Sequence, residues 1–467
     1  MEGYDTSLMK AFFGIPVFRE FYGKPVNPDR PPEHRIYEIS PAWQSGLTSS
    51  AFVGQIIGLL INGFIADQFG YRRTMIGALI GLCLFVLLAF LSINIFMLLA
   101  AHFLCGIPLG IFQTLSTVYA AEMCGASIIR TVAKMQSQWA YRLPFALQWA
   151  FAVPILLGVI FAPESPWWLT KQDRLDEARR SLVRLARKDS DGSKIDETLA
   201  MMKHTNDVEK YLSNEGMSFM ECFRGVNLRR TEIACMVWAA QALSGNALAG
   251  YAAYFYQQEG FSAQNSFNLS IGLTGLGIVG NIIAWLLLPS IGRRKLYLCG
   301  LFLSFIIFII AGGIAILPQS NARSWTLGSL IVSATFVYNI TIGPVCYILV
   351  AEIPSSRLRV KTVVIARVAY IVSNLALGVL IPRMLNPTAW NWKGKAGFFF
   401  SGTSLICFAW SYWRLPELFG LSYLEIDILF ERRAKPSKFR ELQANLESAG
   451  YFSLTRTEQP GCLWRGY

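Results

Sequence analysis

From residue 74 to residue 121 the chain runs for 48 residues without an Asp, Glu, Lys or Arg. A helix that crosses a bilayer needs about 20 predominantly apolar residues. The run is long enough for two such helices, and Ser92-Ile93-Asn94 offers the natural break. Windows of the same kind cover 39–66, 143–162, 233–258, 260–291, 296–322, 324–351 and 396–413, and 362–382 is interrupted only by Arg367, which makes ten full spans. Charged residues form 15% of the 467, where soluble domains carry about 25%, and the mean hydropathy is +0.40. A soluble multidomain enzyme, a disordered chain and a collagen-like chain are excluded. The sequence reads as an all-α membrane protein.

The net charge is +12, and its placement matters more than its size. Lys and Arg gather in short runs between the apolar windows, which is the pattern of cytoplasmic loops and not of a nucleic-acid surface. Residues 171–230 hold 13 of them. If that segment is cytoplasmic, the six following spans return the chain to the same side at Arg293, Arg294 and Lys295, at Arg357, Arg359 and Lys361, and at Arg432, Arg433, Lys435 and Lys438. The second half is thus a self-consistent six-helix bundle.

The first half does not close in this way. With Asp67 to Arg73 cytoplasmic, something before residue 39 must cross, yet only about the first 14 residues are available. Two spans later the chain is back near Glu122, and the single span 143–162 would leave the basic segment outside. Either one helix is missing between Glu122 and residue 143, or 143–162 does not cross normally. The expected organisation is an incomplete N-terminal transmembrane bundle (1–168), a cytoplasmic central loop (169–230), a six-helix C-terminal bundle (231–415) and a cytoplasmic tail (416–467). Within the loop, 174–187 reads as an amphipathic helix. Nine scattered Cys without a CxxC pair give no disulfide framework and no metal site. The first residues, with Glu2, Asp5 and Lys10, lack the basic start and apolar core of a cleavable signal.

The two halves repeat a motif. Gly63-Phe-Ile-Ala-Asp67-Gln-Phe-Gly70-Tyr-Arg72-Arg73 ends one span, and Pro289-Ser-Ile-Gly292-Arg293-Arg294 ends its counterpart. Gly permits a tight turn between helices, and the arginines can meet helix C-terminal carbonyls and nearby carboxylates. Parallel halves of six helices are the major facilitator architecture. Further signatures follow along the chain: Met1-Glu2-Gly3-Tyr4-Asp5-Thr6, Trp43-Gln44-Ser45-Gly46-Leu47, Tyr119-Ala-Ala-Glu122, Pro163-Glu164-Ser165-Pro166-Trp167-Trp168-Leu169, Gln241-Ala-Leu243-Ser244-Gly245, Gly343-Pro344 and Leu415-Pro416-Glu417-Leu418. On these residues the chain resembles the sugar porters of the major facilitator superfamily, and among them the fungal α-glucoside (maltose-type) permeases. The resemblance implies a twelve-helix protein in which the Glu2–Asp5 stretch lies within helix 1. It also implies a fifth helix between Cys124 and Trp139. Half of helix 1 and helix 5 are therefore expected to be missing from this chain, which accounts for the parity fault.

Glu2 and Asp5 are three residues apart and share a helix face. A carboxylate inside a bilayer costs roughly 2.5–3.5 kcal/mol. An adjacent pair is suited to taking up and releasing a proton, and the resemblance implies proton coupling there. Arg367 is the one charge well inside a span of the second half and needs a carboxylate partner, for which Glu2 or Asp5 is the natural choice. The competing reading is snorkelling to the headgroups. His102 stands where sugar porters commonly carry an arginine. An imidazole can exchange protons near neutrality, although a packed, hydrogen-bonded His is the commoner case. Gln55 takes the place of a Glu often present in proton-coupled α-glucoside permeases. It cannot titrate, but its amide suits sugar hydroxyls.

Sugar binding needs amides for hydroxyls and aromatic faces for the ring. Gln241, Asn246, Tyr251 and Tyr254 supply both within one span, and Gln241 matches the first Gln of the sugar-porter Gln-Gln-Leu-Ser-Gly pattern. Tyr347, after Gly343-Pro344, takes a position often filled by Trp. Gln113 and Asn374 are further polar residues in apolar spans. Each of these side chains can instead bond helix to helix. Asp67, Arg72, Arg73, Glu122, Arg293, Arg294 and Glu352 are expected to form cytoplasmic ion pairs that break as the bundles rock. Gly54-xxx-Gly58 and Gly106-xxx-Gly110 read as close-packing sites.

Gly-x-Ser-x-Gly, His-Glu-x-x-His and P-loop motifs are absent from the sequence, so neither an enzyme nor an ATP-driven pump is expected. The expected function is inward movement of an α-glucoside or related sugar with protons by alternating access. No cofactor is expected. The expected partners are a small sugar, protons and the lipid bilayer, with no nucleic acid, and the expected assembly is a monomer. The expected location is the plasma membrane, with the C-terminus cytoplasmic. Two alternatives stand beside this: a sugar sensor that does not transport, and a permease inactivated by the missing helix.

Overall fold

The computed structural model describes residues 8–26, 37–113, 139–185, 192–213, 219–355, 358–419, 421 and 423–432. In lipid every backbone N–H and C=O must be satisfied within the segment, and the apolar windows accordingly fold as helices. After a helical turn at 8–12 come α1 (Pro16–Tyr22) and a small ribbon of β1 (Lys24–Pro25) antiparallel to β2 (Tyr37–Glu38). The first bundle continues with α2 (Pro41–Phe69), α3 (Tyr71–Phe90), α4 (Ile95–Gln113) and α5 (Trp139–Phe161). Three shorter helices follow, α6 (Pro166–Lys171), α7 (Leu175–Leu185) and α8 (Gly192–Ser213). The second bundle holds α9 (Gly225–Gln241), α10 (Ala252–Gln258), α11 (Ala263–Ile291), α12 (Arg293–Ile314), α13 (Asn321–Ile340), α14 (Ile342–Glu352), α15 (Arg359–Leu385) and α16 (Ala396–Arg414), and α17 (Tyr423–Glu431) comes last.

Among the described residues eight helical segments are long and apolar enough to cross a membrane, or nine with the bent pair α9–α10. The 19-residue α16 takes the place of the tenth expected span. Two expected spans are interrupted. The 233–258 window passes through a π turn, Ala242–Asn246, where Gly245 has φ 94°, and bends by 51° before α10. The 324–351 window breaks at Thr341 (φ −119°, ψ −80°), three residues before Pro344, which cannot continue a backbone ladder.

Glycine sets the closest helix contact. A Cβ on Gly54 or Gly58 would overlap the carbonyl oxygens of Phe103 and Ile107, and one on Gly106 or Gly110 would overlap those of Ala51 and Gln55. The order of these contacts makes α2 and α4 parallel, and the absent side chains let their backbones touch.

Side-chain contacts fix the direction of α5. On α3, Cys83 accepts a hydrogen bond from Trp149 of α5 (3.0 Å). Phe90 at the end of α3 packs on Trp139 at the start of α5, and Arg72 at the start of α3 binds carbonyls at the end of α5. α5 is therefore antiparallel to α3 and crosses normally. Because α4 is also antiparallel to α3, α4 and α5 run in the same direction. Of the two readings of the fault, the one in which 143–162 does not cross normally is the one this packing speaks against.

Each half is fastened by the same clasp. Gly70 and Gly292 both have φ 86° and open α3 and α12. In the first half the Glu164 carboxylate accepts from the backbone N–H of Arg72 (3.0 Å), while the Arg72 guanidinium donates to the carbonyls of Val159 and Ile160. In the second half Glu417 accepts from the N–H groups of Arg293 (3.0 Å) and Arg294 (3.2 Å), while Arg294 donates to the Tyr412 carbonyl (2.7 Å). A carboxylate at a helix N-terminus and a guanidinium at a helix C-terminus complement the two macrodipoles. The lack of a Cβ lets the carboxylate approach, since one on Gly70 or Gly292 would lie 2.9 Å from the Oε2 of Glu164 or Glu417. α17 docks beneath the second bundle through buried Ile426, Leu429 and Phe430, with the Arg230 guanidinium over the Phe430 ring (4.6 Å) and ion-paired to Asp427.

Candidate functional site: the seam between the bundles

α2 packs on α15 along the seam between the halves. The clasps lie at one end of it, with the basic loops, and this end is called the basic end below. The other, far end is tied shut by hydrogen bonds that cross from one bundle to the other. Ser45 and Thr48 of α2 donate to the carbonyls of Val379 (3.3 Å) and Gly378 (3.5 Å) on α15, and Asn386 donates to Ile39 (3.1 Å).

Beside these contacts lies a charged network. Arg19 of α1 pairs with Glu38 of β2 at 2.8 Å; the Glu38 side chain is buried and that of Arg19 partly so. From α10, Tyr254 donates its hydroxyl to Glu38 (3.3 Å) and Gln258 donates its amide to the same carboxylate (3.4 Å). Gln257 accepts from Arg19 (2.9 Å) and donates to the Gly14 carbonyl (2.6 Å). An aromatic cluster adjoins the network: Phe12 meets Phe145 edge-on at 5.1 Å, and Phe13 stacks on Tyr251 at 6.4 Å. The Lys10 ammonium lies 5.5 Å from the Tyr251 ring and 5.8 Å from Phe52.

Several of the expected sugar ligands lie on α2 and α15, which form the seam, and on α9, which packs on α15. Gln55 (α2), Gln241 (α9) and Asn374 (α15) are all buried. Gln241 donates to the Gly343 carbonyl of α14 (3.4 Å), and Asn374 donates to the Tyr370 carbonyl of its own helix (3.1 Å). Tyr347 is half exposed, 6.1 Å from the Trp238 ring. Asn246 lies in the π turn and lines a small cavity with Ser244, Phe308, Thr335 and Tyr338, inside the second bundle. Tyr251 and Tyr254 are wholly buried at the far-end closure, which sets them apart from the amides.

Of the expected proton-coupling residues, Arg367 is buried between two aromatic faces, 4.9 Å from Trp238 and 4.8 Å from Tyr370. An arginine stacked this way is partly compensated for its lost hydration. His102 is buried with its ring 5.7 Å from Phe145. Glu2 and Asp5 lie outside the described residues, so the expected contact with Arg367 does too.

At the basic end Arg293 pairs with Glu352 at 3.0 Å. This pair joins α12 to α14 within one bundle, and Arg72 and Arg294 likewise fasten their own halves. Arg293 thus forms an ion pair with Glu352, while Arg72 and Arg294 bind backbone carbonyls of their own halves. Arg73 is exposed. Glu122 and the side chains of Asp67 and Gln113 lie outside the described residues.

Four carboxylate and guanidinium groups were not singled out by the sequence reasoning. Arg19 and Glu38 stand in the polar stretch before α2, outside every apolar window, and nothing in their spacing of 19 residues suggests a pair. Glu164 and Glu417 did carry a signal, because each follows a proline just past the last helix of its half, in Pro163-Glu164 and Pro416-Glu417.

Two helical bundles that carry the same clasp and meet along a polar seam closed at one end define a membrane transporter of the major facilitator type. The chain belongs to the Sugar (and other) transporter family, which matches residues 1–130 and 124–430. The two matched stretches overlap at 124–130, between α4 and α5. Among curated relatives, Alpha-glucosides permease MPH3 of Saccharomyces cerevisiae (strain ATCC 204508 / S288c) is 38% identical over 472 residues, covering 95% of this chain and 77% of the relative. Maltose permease MAL31 of the same strain is 38% identical over 95% of this chain and 76% of its own length, and the General alpha-glucoside permease is 36% identical over 94% and 74%. Solved structures share the fold. The inward open conformation of the xylose transporter XylE from E. coli matches with a TM-score of 0.69 at 20% identity, covering 92% of this chain and 96% of that one. The proton:xylose symporter XylE bound to 6-bromo-6-deoxy-D-glucose matches at 0.65 and 18%, covering 92% and 98%.

Proposed function

We propose that the protein carries an α-glucoside across the plasma membrane together with protons, by alternating access about the seam. The single observation behind this reading is its identity of 36–38%, over 94–95% of the chain, to permeases named for α-glucosides and maltose. The geometry supports it, since buried amides stand on α2 and α15, which meet between two separately clasped bundles, and on α9 beside α15. The positive-inside rule puts the basic end in the cytoplasm. The central helices α6 to α8 and the C-terminal tail are then cytoplasmic, and the far end faces outward. The described state is closed to the outside. Sugar hydroxyls pair with Gln55, Gln241 and Asn374, while Tyr347 offers a ring face. Arg367 is the fixed cation of the coupling machinery. Gln55 brings no titratable group to α2, which leaves Glu2, Asp5 and His102 as the mobile-proton candidates of the expected set.

The test is uptake of labelled maltose at acid and neutral pH, with the medium pH recorded, in a yeast strain lacking its own carriers. Faster uptake at acid pH with alkalinisation of the medium supports symport. Equal uptake at both pH values without alkalinisation leaves facilitated diffusion, and no uptake by a correctly localised chain overturns the carrier reading.

A further inference from the structure

We infer that Lys10 is a positioning residue that pins the hinged helix α10 to the first bundle and so sets how readily the far end of the seam opens. The inference deepens the alternating-access reading and rests on it, but it concerns a residue to which that reading gives no part.

Lys10 stands in the helical turn at 8–12 beside Leu8, Met9 and Phe12, with Phe13 just beyond, and all four of these neighbours are buried. A charge set among buried apolar side chains of a membrane protein is costly and marks function by default. Its stem and its head have different surroundings, as is usual for an amphipathic side chain. The stem lies against Gly250, where a Cβ would come within 2.8 Å of the Lys10 Cδ. The ammonium lies near two rings that belong to opposite halves, Phe52 of α2 at 5.8 Å and Tyr251, just before α10, at 5.5 Å. An ammonium within about 6 Å of an aromatic centroid is attracted to its π face, and the more so away from water. A neutral chain of the same length would fill the notch at Gly250 but would not bridge the two rings.

The grip falls on a hinge. α10 follows the π turn, the φ 94° glycine and the 51° bend. Gly250 and Tyr251 are the last two residues before it. The other end of α10 is fastened within its own bundle, where Glu259 accepts from the Gly394 N–H (2.6 Å) and pairs with Arg323 of α13 (3.3 Å). The helix is thus anchored to the second bundle at its C-terminus and held from the first at its hinge. Opening of the far end carries Tyr251 away from Phe52 and breaks the bridge. Removing a contact made in one state alone shifts the population toward the other.

The test reads the seam directly. Ser45→Cys on α2 puts a thiol in place of a buried hydroxyl at the far-end closure, away from the residues under test. The full chain is expressed in cells and exposed to a membrane-impermeant maleimide from outside, with the chain lacking the added cysteine as background. Rates are taken relative to a Trp390→Cys reporter, which lies in the exposed loop after α15 and corrects for the amount at the cell surface. Adding Lys10→Met, which keeps the stem and loses the charge, is expected to make Ser45→Cys label several-fold faster. Lys10→Gln does the same and takes its place should Lys10→Met not reach the surface. Tyr251→Leu also speeds labelling, and Lys10→Met then adds little to it. An unchanged normalised rate in the Lys10 variants overturns the inference, and a weaker Trp390→Cys signal alongside it marks Lys10 as merely structural. An acceleration by Lys10→Met that is undiminished in Tyr251→Leu overturns it too, because the ammonium then acts through other groups. The labelling needs no sugar movement, so absence of uptake fails the carrier reading while leaving this outcome to stand on its own.

Discussion

Gln241 and Arg367 were readable from sequence because each is a group that lipid does not tolerate without a partner, set in an otherwise apolar window. The structure buries both within the second bundle, Gln241 against the Gly343 carbonyl and Arg367 between the Trp238 and Tyr370 rings. If Gln241 binds a sugar hydroxyl, Gln241→Ala should raise the KM for maltose about tenfold with little change in Vmax, the equivalent of roughly 1.4 kcal/mol; a lowered Vmax at constant KM would instead mark its bond to Gly343 as purely structural. Arg367 is sandwiched between rings, so its planar guanidinium matters as well as its charge. Arg367→Lys keeps the charge and loses the stacking. Sugar-induced alkalinisation should fall at least tenfold while exchange of labelled sugar across the membrane persists. Arg19 and Glu38 were not readable. A charged residue in a polar loop is the ordinary case, and only the folded contact between α1, β2 and α10 gives the pair meaning.

Elements were legible wherever the backbone had a single solution. Charge-free windows became helices because an apolar segment in lipid has nowhere else to place its hydrogen bonds, and the paired glycines of α2 and α4 became a close contact because nothing larger fits. The breaks were less legible. The bend before α10 depends on the positive φ at Gly245 and on which neighbours the π turn meets, and no local pattern carries that. Gly54→Leu should disrupt the α2–α4 contact, at about 1–3 kcal/mol or more for overpacking of this kind, and lower the melting temperature of the detergent-purified protein. Gly77→Ala on α3 is the control, since a Cβ there meets nothing within 4 Å, and should leave the melt unchanged.

For the whole molecule, charge counting marked out a second bundle and a parity fault in the first, but it could not say which way α5 runs. That depended on Trp149, Phe90 and Arg72 reaching specific partners. The direction can be checked in cells. Trp139→Cys should react with an impermeant thiol reagent from outside, whereas Trp167→Cys on α6 should react only after the membrane is opened; both labelled from one side would overturn the assigned path. The matched fastenings at Glu164 and Glu417 have a last consequence. Neither depends on the other half, so each bundle carries its own buckle and the covalent bridge between them is a convenience. Two separate polypeptides, parted between Ser213 and Phe219 and made in the same cell, should find each other and rebuild the carrier.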